Sequence, residues 1–182
     1  AKPGDLVAVT GFFGKSPAGL KILLERLSAP KKLEKALVDS VLMPQARLKE
    51  GLVLCQSIAV TASIDSSDGL AWSLHEISRA SNVGFSIDKL PIAKEAEEFA
   101  KIHKLNPAEL CLYGGEEYEL VLSVKPRLWE KAKDAVHHVG GSLIKIGKVT
   151  REKSILLKEK EKTIPIEARG WEHFKTDQQR LY

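Results

Sequence analysis

Ile64-Asp65-Ser66-Ser67-Asp68-Gly69-Leu70 is the stretch on which the fold turns: an apolar run ends in two carboxylates and two hydroxyls, and a helical pattern begins. Residues 56–63 before it read as a β-rich segment, whereas Leu70, Ala71, Leu74, Ile77 and Ala80 after it recur at helical spacing. The chemistry therefore sits on a strand-to-helix turn. Such a turn aims backbone N–H groups and the positive end of a helix dipole at whatever binds there, an arrangement suited to phosphate. Asp65 and Asp68 are hard oxygen donors of the kind Mg²⁺ uses when substrate phosphates hold it too. The same residues admit a plainer reading, with Ser67 or Asp68 as a helix N-cap and Asp65 as a turn residue.

Working outward, strands and helices alternate. Residues 6–10 predict a first strand closed by Gly11-Phe12-Phe13-Gly14-Lys15, with Ser16 as N-cap and Pro17 at the first helical position. That helix is expected to run through Leu27, and a second over about 31–42, stopped by Pro44. Leu52-Val53-Leu54-Cys55 and Ile58-Ala59-Val60 lead into the central turn. Beyond it come a short strand at 85–88, a helix over about 93–104, and a brief helical turn opened by Asn106-Pro107. Residues 110–124 read as one segment whose first part is an acid-rich glycine turn, containing Gly114-Gly115-Glu116-Glu117-Tyr118-Glu119, and whose second part alternates like a strand. A helix over about 127–139 and a last set of short strands from Leu143 complete an α/β (α+β) pattern, a mixed β-sheet layered by helices.

Composition narrows the class. With 182 residues, 43% hydrophobic and 29% charged, the chain is long enough to bury a real core. No apolar run approaches membrane-spanning length and no basic-then-apolar leader opens the sequence, so a cytoplasmic protein without membrane contact is expected. The formal charge of +4 is spread among glutamates, which argues against nucleic acid as a partner. Cys55 and Cys111 lie in apolar runs without metal-ligand spacing, and both are expected to be buried.

Other motifs divide between chemistry and plain structure. Gly14-Lys15-Ser16 lacks the glycine five residues upstream that a phosphate-cradling P-loop needs, because that position is Val9. The acids of the 114–119 turn could bind a metal or a cationic ring, or simply be solvated. His137-His138 reads as a favourable helix C-terminus and residues 158–162 as a solvated turn. The aromatics of Arg169-Gly170-Trp171-Glu172-His173-Phe174 either pack on the core or stack on a planar ligand.

Taken in order, Asp65-x-Ser67-Asp68-Gly69-Leu70, Gly114-Gly115-Glu116-Glu117-Tyr118-Glu119-Leu120 and Gly170-Trp171-x-His173-Phe174 resemble the thiamine-monophosphate kinase family. Gly4-Asp5-Leu6-x-x-Val9-Thr10-Gly11 with Ala18-Gly19-Leu20 resembles the start of that family's C-terminal domain, within the aminoimidazole ribonucleotide synthetase superfamily. The resemblance implies a single C-terminal-type domain over residues 1–182, with the family's N-terminal metal- and nucleotide-binding domain absent from this chain. It implies phosphorylation of thiamine monophosphate to thiamine diphosphate by ATP with Mg²⁺. Asp65 and Asp68 would then be metal ligands, Ser67 a nucleotide contact, and Glu116 and Trp171 substrate contacts. An N-terminal domain of the same or a partner chain, and a homodimer of the full-length protein, are the expected partners. A non-catalytic binding or assembly module of the same fold is the alternative, and a superfamily enzyme with another acceptor ranks below both.

Overall fold

The computed structural model describes residues 1–159 and 162–170. Along the chain run β1 (Leu6–Val9), α1 (Lys15–Glu25), α2 (Lys31–Leu42), α3 (Leu48–Ser57), β2 (Val60–Asp65) and α4 (Leu70–Ser81). There follow β3 (Gly84–Ile87), α5 (Lys94–His103), α6 (Pro107–Tyr113), β4 (Leu120–Val124), a short 3₁₀ turn, α7 (Trp129–His138), β5 (Ile144–Thr150), β6 (Ile155–Glu159) and β7 (Lys162–Pro165). The strands form one sheet in the order β2-β4-β1-β5-β3-β6-β7. Every pairing is antiparallel except β3 with β6, so the sheet is mixed, as the alternating pattern predicted.

Strand alternation sorts the core into two faces. Val7, Val9 and Val121 pack with Leu70, Leu74 and Ile77 of α4 and with Leu112 of α6. Ala8, Leu122 and Val124 point the other way, against Leu54 of α3 and Ala132 and Val136 of α7. A third cluster lies outside the sheet and joins Ala18 of α1, Leu33 and Leu37 of α2, Phe99 of α5 and Leu110 of α6. Short α6 thus serves two layers, because successive positions face the sheet and the outer helices. Each large side chain buried in this way contributes roughly 1.5–3 kcal/mol.

Several expectations are corrected. The apolar run at 52–55 belongs to a helix, and the 56–63 segment is divided: Gln56 and Ser57 end α3, while the strand starts at Val60. Glu50, Leu54 and Ser57 are the residues α3 buries, a helical spacing that apolar periodicity does not reveal because two of the three are polar. No glycine or asparagine marks its end, because Ile58 itself turns left-handed at φ 59°. Cys55 consequently sits on the outer side of α3 and is exposed, whereas Cys111 is buried as expected. The first helix starts at Lys15 and ends at Glu25, with Gly14 rather than Ser16 as its N-cap. Tyr113 ends α6, so residues 110–113 are helical and only Gly114 onward forms the turn.

Candidate functional site

Asp65 is the last residue of β2, paired with Leu120 of β4, and its side chain is exposed at the sheet's end. From there the 66–69 turn is laced to the 114–119 loop by main chain. Ser66 N–H donates to Glu119 O at 2.8 Å, Tyr118 N–H to Ser66 O at 3.1 Å, and Glu116 N–H to Ser67 O at 2.7 Å. Gly69 then enters α4 at φ 108°, ψ 157°, a conformation essentially reserved for glycine. A β-carbon there would also lie 3.1 Å from Gly114 O and 3.2 Å from Leu112 O. Gly170 closes on the same turn, since a β-carbon on it would stand 2.5 Å from Asp68 O. Residues of all three motifs therefore meet in space. Trp171, with His173 and Phe174, lies outside the described residues.

Helix capping does not explain the acids and hydroxyls. The N-cap of α4 is Gly69, which has no side chain to cap with, so neither Ser67 nor Asp68 occupies the capping position. Ser73 Oγ steadies the turn from the helix side, donating at 3.1 Å to Asp65 O and to Gly69 O. Glu116 and Tyr118 both take left-handed backbone conformations, at φ 64° and 54°, and the Tyr118 hydroxyl donates to a Glu116 carboxylate oxygen. That bond, with some desolvation and the negative charges of Glu116, Asp65 and Asp68, holds the phenol above its ordinary pKa. The two aspartates are thus close enough to Tyr118 to act on it electrostatically.

The fit to a divalent cation is partial. Asp65 and Asp68 offer hard oxygens on this turn, and between them in sequence Ser66 Oγ is buried with no hydrogen-bond partner among the described residues. Among the described residues no three Asp, Glu, His or Cys side chains converge into a group that could hold a metal by themselves. Two carboxylates without a third suit Mg²⁺, which keeps waters and phosphate oxygens in its shell, better than an all-protein cage.

Two further acids of the loop have roles the sequence reading missed. Glu117 keeps some surface as a residue, but its carboxylate is packed round by protein and accepts from Gly14 N–H, from Ser16 N–H at 3.3 Å and from Ser16 Oγ at 3.4 Å. It thus occupies the N-terminus of α1, the place where a P-loop would hold phosphate. Burial pushes its pKa up to about 7 against the pull of those two N–H donors. Glu119 is buried and takes both Nε and Nη2 of Arg47, at 2.8 and 2.5 Å, and the Thr10 hydroxyl at 2.7 Å. One signal was available for Glu117: α1 has no acid in its own first turn, so its positive end needs a carboxylate from elsewhere.

Cavities of about 610 and 520 Å³ flank the shared Lys15, Arg47 and Glu119. A more apolar one of about 450 Å³ opens beside Gly114-Gly115 between Pro17, Leu20, Leu110 and Tyr113. At its rim the Arg169 guanidinium stands 3.9 Å over the Tyr113 ring and pairs with Glu109 at 3.2 Å.

Known proteins resemble this chain in sequence and in fold. The chain is 34% identical over 171 residues to the thiamine-monophosphate kinase of Nitrosopumilus maritimus, covering 94% of this chain and 54% of that relative. It is 36% identical over 182 residues to the thiamine-monophosphate kinase of Bacillus subtilis, covering 96% and 54%. The chain spans about half the length of the curated relatives it matches. Among solved structures, AaThiL complexed with AMPPCP and TMP superposes with a TM-score of 0.77 at 30% identity, over 96% of this chain and 52% of that one. Residues 2–158 match the model of a family described as AIR synthase related protein, C-terminal domain, and a match over that much of the chain means that the chain belongs to that family.

Proposed function

We propose that this chain is the C-terminal domain of an ATP- and Mg²⁺-dependent kinase that phosphorylates thiamine monophosphate to thiamine diphosphate. The observation that carries the reading is the lacing of the Ser66-Ser67 turn to Glu116 and Tyr118, with Gly170 closing on Asp68. Likeness to thiamine-monophosphate kinases supports the substrate, and the neighbour solved with AMPPCP, an ATP analogue, supports the nucleotide. Phosphoryl transfer needs positioning and charge neutralisation more than covalent chemistry. Mg²⁺ held at Asp65 and Asp68 would supply that neutralisation. Ser67 would contact the nucleotide beside it, while Glu116 and, by resemblance, Trp171 would hold the cationic thiamine. The remaining ligands would come from an N-terminal domain of the same or a partner chain, in a cytoplasmic homodimer.

The test joins this chain to the half of the Nitrosopumilus maritimus relative that it does not match, and follows phosphoryl transfer from labelled ATP. The chain alone is expected to be folded but nearly inactive, because two carboxylates hold Mg²⁺ weakly against its hydration. Asp65→Asn and Asp68→Asn should abolish transfer in the joined protein. In the chain alone they should change stability by no more than about 0.5 kcal/mol, since neither carboxylate caps a helix. Tight calorimetric binding of thiamine monophosphate that ignores Mg²⁺ and both substitutions, with no transfer in the joined protein, would instead identify a non-catalytic binding module.

A further inference from the structure

We propose that Glu117 is a positioning residue of this site: its carboxylate, held by Gly14 and Ser16 at the start of α1, fixes the loop on which Glu116 and Tyr118 face the Asp65–Asp68 turn. The proposal rests on the function above only for the ligand involved. Its geometry is independent of that reading. Glu116 and Tyr118 flank Glu117 in sequence, and both occupy left-handed backbone conformations that non-glycine residues adopt only when their surroundings enforce them. The Glu116 and Tyr118 N–H groups bond to Ser67 and Ser66 on one side of the loop, and the Glu117 carboxylate bonds to α1 on the other. The loop is therefore held between two supports. Removing the Glu117 carboxylate frees one, and the strained residues beside it can relax away from the aspartates.

Protonation bears on the same support. The charged groups that face Glu117 are Lys15 of α1, Glu119 in the same loop, and Arg47, which neutralises Glu119. Lys35 and Asp39 of α2 line the same cavity, and the Cys111 thiol of α6 feels the Glu117 charge. Burial brings the Glu117 carboxyl to about 7. Its bonds to the two N–H groups are charge-assisted above that pH, but the cost of keeping the buried charge from water outweighs them, so the closed loop favours the protonated carboxyl and is held less firmly as pH rises through about 7.

The experiment compares amide hydrogen exchange in the 182-residue chain and in Glu117→Ala and Glu117→Gln, read at Ser66, Glu116 and Tyr118 with α7 amides as reference. Glu117→Ala should speed exchange at Glu116 and Tyr118 by about tenfold or more while α7 is unchanged. Glu117→Gln should restore most of the protection: its carbonyl oxygen can accept both N–H groups, and its amide can donate to Ser16 Oγ. In the wild-type chain, protection corrected for intrinsic rates should fall between about pH 6 and about pH 8, because ionisation favours the opened loop in which the carboxylate is solvated, and in Glu117→Gln it should be flat. Calorimetry with thiamine monophosphate as probe should show weaker binding in Glu117→Ala and recovery in Glu117→Gln. Unchanged exchange at Glu116 and Tyr118 in Glu117→Ala overturns the proposal. If Glu117→Ala fails to fold, identical pH dependence in wild type and Glu117→Gln overturns it, and a flat Glu117→Gln profile upholds it. Failure of the wild type to bind thiamine monophosphate counts against the proposed function, while the exchange result still decides the role of Glu117.

Discussion

Arg47 and Glu119 form the ion pair with the most at stake. The arginine approaches through two nitrogens, the Thr10 hydroxyl takes up a further lone pair, and Glu119 has almost no contact with water. Such a pair adds little net stability over apolar neighbours, but breaking it strands a buried charge. Arg47→Ala should therefore cost about 3–5 kcal/mol in urea unfolding. A loss below 1 kcal/mol, on the scale of an exposed pair, would show that water reaches Glu119 freely. The cysteines give a second measurement at this scale. Cys55 is exposed, and Cys111 is buried with its thiol pKa driven up by desolvation. One thiol per folded chain should react quickly with a disulfide reagent, and the second only on unfolding. Two fast thiols would contradict the packing of α6 on the sheet.

The α3 helix shows how an element can be misread and what the misreading reveals. Its run of leucine, valine and cysteine resembles the buried strands of a sheet, and its stop is an isoleucine in a left-handed conformation with 69% of its surface exposed. A β-branched residue gains nothing there: it pays about 1–2 kcal/mol in backbone sterics and buries little in return. Ile58→Gly should stabilise the chain by about 0.5–1 kcal/mol, the steric relief reduced by the extra freedom of glycine in the unfolded chain. Thermal unfolding checks this. A destabilised Ile58→Gly would mean that the Ile58 side chain packs against something after all. By contrast, the break between β2 and α4 was legible from sequence, because Gly69 stands where the apolar period changes from strand to helix.

For the whole molecule, the buried acid predicts how stability depends on pH. In the unfolded chain Glu117 titrates near 4.5, and in the folded chain near 7. Between these values the folded state keeps a proton that the unfolded state releases, so this contribution is fully present below 4.5 and is lost as pH rises through about 7. The chain should lose at most about 3 kcal/mol of stability from this group on going from the acid to the alkaline side of that window. Glu117→Gln should abolish this part of the slope in unfolding curves, and an unaltered slope would place the titrating group elsewhere. The sequence by itself determined the alternation of strands and helices, the mixed sheet layered by helices, and the three motifs whose order resembles thiamine-monophosphate kinases. These are properties of local period and spacing, which neighbouring residues carry between them. Only the tertiary structure decided which acids of the 114–119 loop face the aspartate turn and which are taken inward. Glu117 answers to Gly14 and Ser16, more than a hundred residues away, and Glu119 to Arg47 and Thr10, separations of 72 and 109 residues. The physical reason is that a carboxylate next to a glycine turn has the same local preferences whether water or a distant N–H group becomes its partner, and only the packing of α1 and α3 around the sheet brings those donors within reach.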